Sequence, residues 1–214
     1  MEEKIYKVGV IGTGGISRAH SNGYKAVKRT EIIAGADVSE EQLKKYGKEY
    51  GIDKFYTDYI EMVEAEKPDI VSICTWVNSH CEMVTRVAKL GIVKGILCEK
   101  PMALSMEEAD QMVEACEKAG IKFAIGHQRR HAAQHQKTKE LIDSNAIGDL
   151  VWLWGSSPPD LLDWGTHVAD MMLFYAGEVE WLMGQIGGRN PEQHRRGYYH
   201  AHPAQGYMKF KNGA

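Results

Sequence analysis

Val8-Gly9-Val10-Ile11-Gly12-Thr13-Gly14-Gly15-Ile16-Ser17 sets a glycine-rich turn between a run of small apolar residues and an amphipathic stretch. The run reads as a buried strand and the stretch as a helix, and this strand-turn-helix context gives the glycines their meaning. Gly12 allows the sharp turn, and Gly14 removes a side chain where a pyrophosphate would approach. The following helix offers backbone N–H groups at the positive end of its dipole. Gly12, Thr13, Gly14, Gly15 and Ile16 are therefore the expected phosphate-binding turn. Ser17 stands where the usual spacing has Gly or Ala, and it is small enough to let the helix lie close to the strand.

The neighbouring segments extend the pattern. A second apolar run, 31–37, ends in Asp37, 25 residues beyond Gly12. An acid at this place accepts hydrogen bonds from the adenosine ribose and repels a 2′-phosphate, so the expected cofactor is NAD rather than NADP. Helix and strand patterns then alternate through 40–50, 70–74, 79–90, 95–98, 106–119 and 122–125. Two helix starts are explicit, with Ser39 followed by Gln42 and Ser105 by Glu108. Strands separated by helices imply an α/β fold, a Rossmann-type doubly wound parallel sheet whose ligands bind beyond the carboxyl ends of its strands.

Beyond residue 126 the texture changes. A polar, His- and Arg-rich helix pattern runs to residue 144, followed by a Trp-bearing strand at 149–154, an apolar helix at 163–175 and a strand at 179–186. A loop rich in Gly, Arg, His and Pro leads to a last strand at 206–211. The expected organisation is a dinucleotide-binding domain at 1–126 and a partial α+β domain at 127–214. Asn212-Gly213 is a strong hairpin signal with a single residue after it. The expectation is a fragment whose returning strand is missing, with 206–211 left as an unpaired edge through which copies associate.

Composition narrows the function. Hydrophobic residues make up 43% and charged residues 26%, and the formal net charge is -3. That is an ordinary globular chain without the basic field a nucleic-acid partner requires. No apolar run approaches the roughly 18 residues of a membrane span, and the expected location is the cytoplasm. Cys74, Cys81, Cys98 and Cys116 show no paired spacing and read as free thiols. His127, His131 and His135 recur every four residues as a stripe on one helix, but no carboxylate or cysteine completes a metal set, and no metal is expected. His194, His200 and His202 lie in the last loop, with their role open.

The strand at 95–98 ends in Glu99-Lys100-Pro101, which thrusts a charged pair out at the carboxyl edge of the sheet. Here the sequence resembles the glucose-fructose oxidoreductase and inositol dehydrogenase family, whose signature includes Glu-Lys-Pro at this place. Ser72-Ile73-Cys74-Thr75 with His80 is similar to the family segment that covers the nicotinamide half of the cofactor, although Trp76 and Val77 replace its frequent Pro and Asn. Gly126-His127-Gln128-Arg129-Arg130, Ile147-Gly148 and Asp163-Trp164-Gly165-Thr166-His167 match further family segments.

The resemblance implies that Thr75, His80, Glu99 and Lys100 join the cofactor site and that Lys100, Asp163 and His167 are catalytic. It also implies a mostly antiparallel sheet in the second domain, used for substrate and for homo-oligomer contacts. The implied activity is NAD-dependent hydride transfer from a secondary alcohol of a sugar, cyclitol or related polyol. Two alternatives stay open: an NAD-dependent glycosidase that oxidises its sugar transiently, and a nucleotide-binding protein or truncated remnant without catalysis.

Overall fold

The computed structural model describes residues 4–158, 161–187, 189–195, 198–201 and 204–214; at 161–162, 186, 189–195 and 198–201 it describes the backbone alone. The chain divides into two compact units, Met1–Gly126 and His127–Ala214.

The first unit runs β1 (Tyr6–Ile11), α1 (Ser17–Ala26), β2 (Thr30–Ala36), α2 (Glu40–Tyr50), β3 (Phe55–Tyr56), α3 (Tyr59–Glu66), β4 (Ile70–Ile73), α4 (His80–Lys89), β5 (Gly95–Cys98), α5 (Met106–Lys118) and β6 (Lys122–Ile125). Its six strands are all parallel, in the order β3-β2-β1-β4-β5-β6. This is the dinucleotide-binding order, which reverses direction between β1 and β4 and opens a crevice at the carboxyl ends of those strands. The sheet centre is dry, with Val8, Val10, Val71 and Ile73 fully buried. Burial on both faces explains why these strands read as continuous apolar runs.

The helix starts follow their sequence signals. Ser39 Oγ accepts from Gln42 N–H at 3.3 Å and Ser105 Oγ from Glu108 N–H at 3.1 Å. Glu108 returns a bond to Leu104 N–H, one residue earlier than a capping box would place it. The expected sequence pattern omitted β3 and α3. β3 is only two residues long, and α3 announces itself mainly by its cap, where Asp58 Oδ1 accepts from Ile60 N–H. All four cysteines are free, and burial pushes the Cys98 thiol well up and the Cys116 thiol up to about 11, as expected of inert core thiols.

The second unit contains α6 (Ala133–Asp143), α7 (Thr166–Ala176), β7 (Val179–Ile186), β8 (Arg189–Arg195), β9 (Tyr198–Ala201) and β10 (Ala204–Phe210). β7 pairs antiparallel with β10, and β8 with β9. Three expectations change here. The Trp-bearing segment 149–154 is not a strand: nothing among the described residues pairs with it, and Val151, Trp152 and Trp154 are largely exposed. The Gly- and Arg-rich stretch read as a loop contains β8 and β9.

The last strand is paired on one side, because β10 lies along β7; its other side has no partner strand among the described residues. The Asn212-Gly213 signal is also realised: Gly213 N–H donates to Phe210 O and Phe210 N–H to Ala214 O, each at 3.0 Å, with Gly213 at φ +100°. That is the hydrogen-bond pattern of a three-residue turn closed by a glycine bulge. Among the described residues, no helix is long and apolar enough to cross a membrane.

Candidate active site

The turn after β1 is shaped by close approach. A Cβ on Gly12 would stand 2.8 Å from Thr75 Cγ2 and 2.9 Å from the Cys74 backbone, and Gly12 has φ +82°. Both facts exclude a side chain. At Gly14 and Gly15 the opposite holds, since a Cβ there would meet nothing within 4 Å. α1 has no side-chain cap at Ile16; its Arg18 and Ala19 amides donate to Gly15 O at 3.4 Å and Ile16 O at 3.0 Å, so it is the Gly14–Ile16 amides of the turn that face an outside acceptor. Fully buried Ser17 donates its hydroxyl to Gly14 O at 2.6 Å, so the departure from Gly or Ala braces the turn.

Asp37 closes the turn from β2. Its Oδ2 accepts from Thr13 N–H at 2.7 Å and from the Thr13 hydroxyl at 3.0 Å, and its Oδ1 accepts from Ser39 N–H at 2.9 Å. Thr13, fully buried, thus spends its side chain on Asp37. A carboxylate has about four acceptor positions, so capacity remains for a ribose hydroxyl. The open space over Gly14 and Gly15, the uncapped helix and this half-buried carboxylate fit a dinucleotide.

The turns after β4 and β5 are tied together by His80. Its ring is fully buried, with Nε2 3.1 Å from Thr75 O and Nδ1 2.9 Å from Pro101 O. His80 therefore bears on the site through two backbone carbonyls. Thr75 Oγ1 accepts from Ser79 Oγ at 2.8 Å, which fixes the short turn that carries exposed Trp76.

Glu99 is buried, with Oε1 2.8 Å from His20 Nε2 and Oε2 accepting from Lys100 N–H at 3.1 Å. Gly126 makes room for it: a Cβ there would lie 2.8 Å from Oε1. His20 Nδ1 meets Ser72 Oγ at 2.8 Å. Burial works against an imidazolium at His20, but Cys74 and the Glu99 carboxylate outweigh it and the ring is pushed up to about 10. Lys100 is half-buried at the end of β5, and the Lys100–Pro101 peptide bond is cis.

In the second unit, Asp163 lies in a π turn, Leu161–Gly165, and His167 in the first turn of α7. Both are buried. The four-residue spacing therefore crosses from a π turn into an α-helix rather than following one helical face. Buried Asp170 takes Arg130 in a close pair, Nε and Nη2 at 2.8 and 2.7 Å from Oδ1, with His127 Nδ1 3.7 Å from Oδ2. The His127 and His167 rings meet edge to face at 6.2 Å. The histidine stripe is interrupted: Gln128–His131 is a 3-10 turn, Ala132 is extended, and α6 begins after it. His135 Nδ1 bonds the Tyr175 hydroxyl at 2.6 Å. His202 lies outside the described residues. Lys100 belongs to the first unit, and Asp163 and His167 to the second.

Residues 6–127 match the family described as an oxidoreductase family with an NAD-binding Rossmann fold. The chain belongs to the glucose-fructose oxidoreductase and inositol dehydrogenase family. It is 32% identical to a myo-inositol 2-dehydrogenase of Thermotoga maritima over 80% of this chain and 55% of that protein. It is 31% identical to a D-apiose dehydrogenase of Paraburkholderia graminis over 82% and 51%. A solved oxidoreductase from Agrobacterium radiobacter, in complex with NAD+, L-tartaric acid and magnesium, superposes with a TM-score of 0.84 at 27% identity, covering 98% of this chain and 64% of that one. The chain spans about half the length of the curated relatives it matches.

As a family member, the chain carries the NAD-binding Rossmann fold. Sequence reasoning passed over His20 in that fold. The signal was present: α1 places Ser17, His20 and Ser21 on its inner face, where a helix packed on a sheet ordinarily carries aliphatic residues. Buried polar side chains need partners, and a histidine among them points to an acid across the fold.

Proposed function

We propose that the protein transfers hydride between NAD and a secondary alcohol of a sugar, cyclitol or related polyol. The observation that carries this reading is the position of Lys100: it leaves β5 at the same sheet edge as the Gly12–Ile16 turn, on a backbone held by Glu99. The relatives named as myo-inositol and apiose dehydrogenases support the substrate class. Gly12, Thr13, Gly14, Gly15 and Ile16 hold the pyrophosphate, and Asp37 takes the adenosine ribose. Thr75 and Lys100 line the nicotinamide end, with His80 and Glu99 fixing their backbone.

Bound NAD supplies the two-electron acceptor. His167 takes the hydroxyl proton, Asp163 orients His167, and Lys100 donates a hydrogen bond to the same oxygen as negative charge grows on it. Self-association belongs to the same reading, since β7 and β10 expose Trp181, Leu182, Met183 and Tyr207.

The test is NADH formation at 340 nm with a panel of free cyclitols and aldoses. Lys100→Ala and His167→Ala are each expected to lower turnover about 100-fold or more while NAD affinity changes little. Near-normal turnover in either variant removes that residue from the mechanism. Glycoside cleavage without net NADH would overturn the dehydrogenase reading.

A further inference from the structure

The inner face of α1 sends its polar groups to different places. Ser17 bonds the turn beside it, and Ser21 bonds the Tyr46 hydroxyl of α2 at 2.5 Å, so both serve the seating of the helix. His20 instead crosses to the far side of the switch point, to Ser72 in β4 and Glu99 at the end of β5. The His20 and Glu99 side chains are only 7% and 10% exposed. Glu99 has its two oxygens divided between His20 and the Lys100 amide. A continuous chain of contacts thus leads from the helix that receives the pyrophosphate to the backbone of Lys100.

We propose that His20 is a positioning residue for Lys100: it holds Glu99 in a buried ion pair, and Glu99 in turn fixes the Lys100 backbone. A buried carboxylate without a cation takes up a proton or draws in water, and either outcome loosens its bond to the Lys100 N–H. Gly126 guards the other side, because any side chain there would stand on Glu99 Oε1. Glu99 therefore acts on the reaction through Lys100, with both of its oxygens already committed to the protein. The catalytic consequence rests on the proposed role of Lys100; the positioning itself does not.

The experiment is residue-resolved amide hydrogen exchange on the full chain without cofactor, for the wild type, His20→Leu, His20→Gln and Gly126→Ala, together with steady-state kinetics. The Lys100 amide is expected to exchange about tenfold faster or more in His20→Leu and in Gly126→Ala, relative to the Val8 and Val71 amides of the sheet core. His20→Gln keeps an N–H donor near the Nε2 position and is expected to restore part of that protection. Turnover falls about tenfold in the first two variants, with KM and NAD affinity within about threefold of wild type.

A purely structural role for His20 would speed exchange at Lys100, Val8 and Val71 alike, and that result overturns the proposal. Unchanged Lys100 protection in folded His20→Leu or in folded Gly126→Ala also overturns it. If His20→Leu does not fold, Gly126→Ala and His20→Gln carry the same comparison. Selective loss of Lys100 protection together with full turnover in Lys100→Ala would uphold the positioning and remove only the catalytic reading of Lys100.

Discussion

Replacing Asp37 separates two jobs that the fold assigns to one carboxylate. In Asp37→Ala, the fully buried Thr13 loses the acceptor for both its N–H and its hydroxyl, and Ser39 N–H loses its own. A buried donor left without a partner costs about 1–3 kcal/mol. Ser39 is partly exposed, and water replaces its lost bond. The two Thr13 donors together should therefore cost the first unit about 2–6 kcal/mol. Asp37→Asn keeps one oxygen for Thr13 but turns an NH2 towards the Ser39 N–H, at an expected cost of about 1–2 kcal/mol.

Because the Thr13 turn serves both cofactors, Asp37→Ala should weaken NAD and NADP together and also erase the preference, expected in the wild type to be at least tenfold for NAD. The assay pairs native-state hydrogen exchange of the β1 and β4 amides with fluorescence titration of both nucleotides. A loss below about 0.5 kcal/mol in both variants would refute the brace between Asp37 and Thr13. Equal wild-type affinities would refute the assignment of Asp37 to the ribose.

The glycines of the turn should divide by the space around them. Gly12→Ala meets the Cys74 backbone from a left-handed conformation and should cost about 2–4 kcal/mol of stability, read by urea unfolding of the first unit. Gly14→Ala meets nothing, so stability should stay within about 0.5 kcal/mol while NAD affinity falls about tenfold or more. Equal effects of the two on stability would contradict the geometry. The His20–Glu99 pair carries a pH signature: the folded-state value of His20 is raised, so its stabilisation is fully present below about 6.5 and declines as pH rises, vanishing above about 10. Urea unfolding from pH 6 to 10.5 should show this decline in the wild type and not in His20→Gln; parallel curves would place the charge elsewhere.

Much of the first unit was legible because burial on both faces leaves apolar runs in sequence, and because the Gly12 and Gly14 spacing sits between a strand and a helix. What escaped had no periodic signal. β3 is two residues long, and β8 lies in a stretch whose Gly, Pro and Arg content reads as a loop. The segment 149–154 misled in the other direction, since alternating tryptophans look like a strand whether or not a partner exists to pair with them. Sequence singled out Asp37, His80, Glu99 and Lys100 as candidates by residue type and place. It did not reveal that Asp37 is bound to Thr13, that His80 works through carbonyls, or that Glu99 answers to His20, because those pairings are set by strand order. Residue spacing does not carry that information.

A crystal structure of the chain with NAD measures directly where the nicotinamide lies. The pyrophosphate is expected over the amides of the Gly12–Ile16 turn, with ribose hydroxyls on Asp37 and the nicotinamide ring within about 4 Å of Lys100 Nζ. A nicotinamide directed away from Lys100, with the adenosine in place on Asp37, would contradict the proposed role of Lys100.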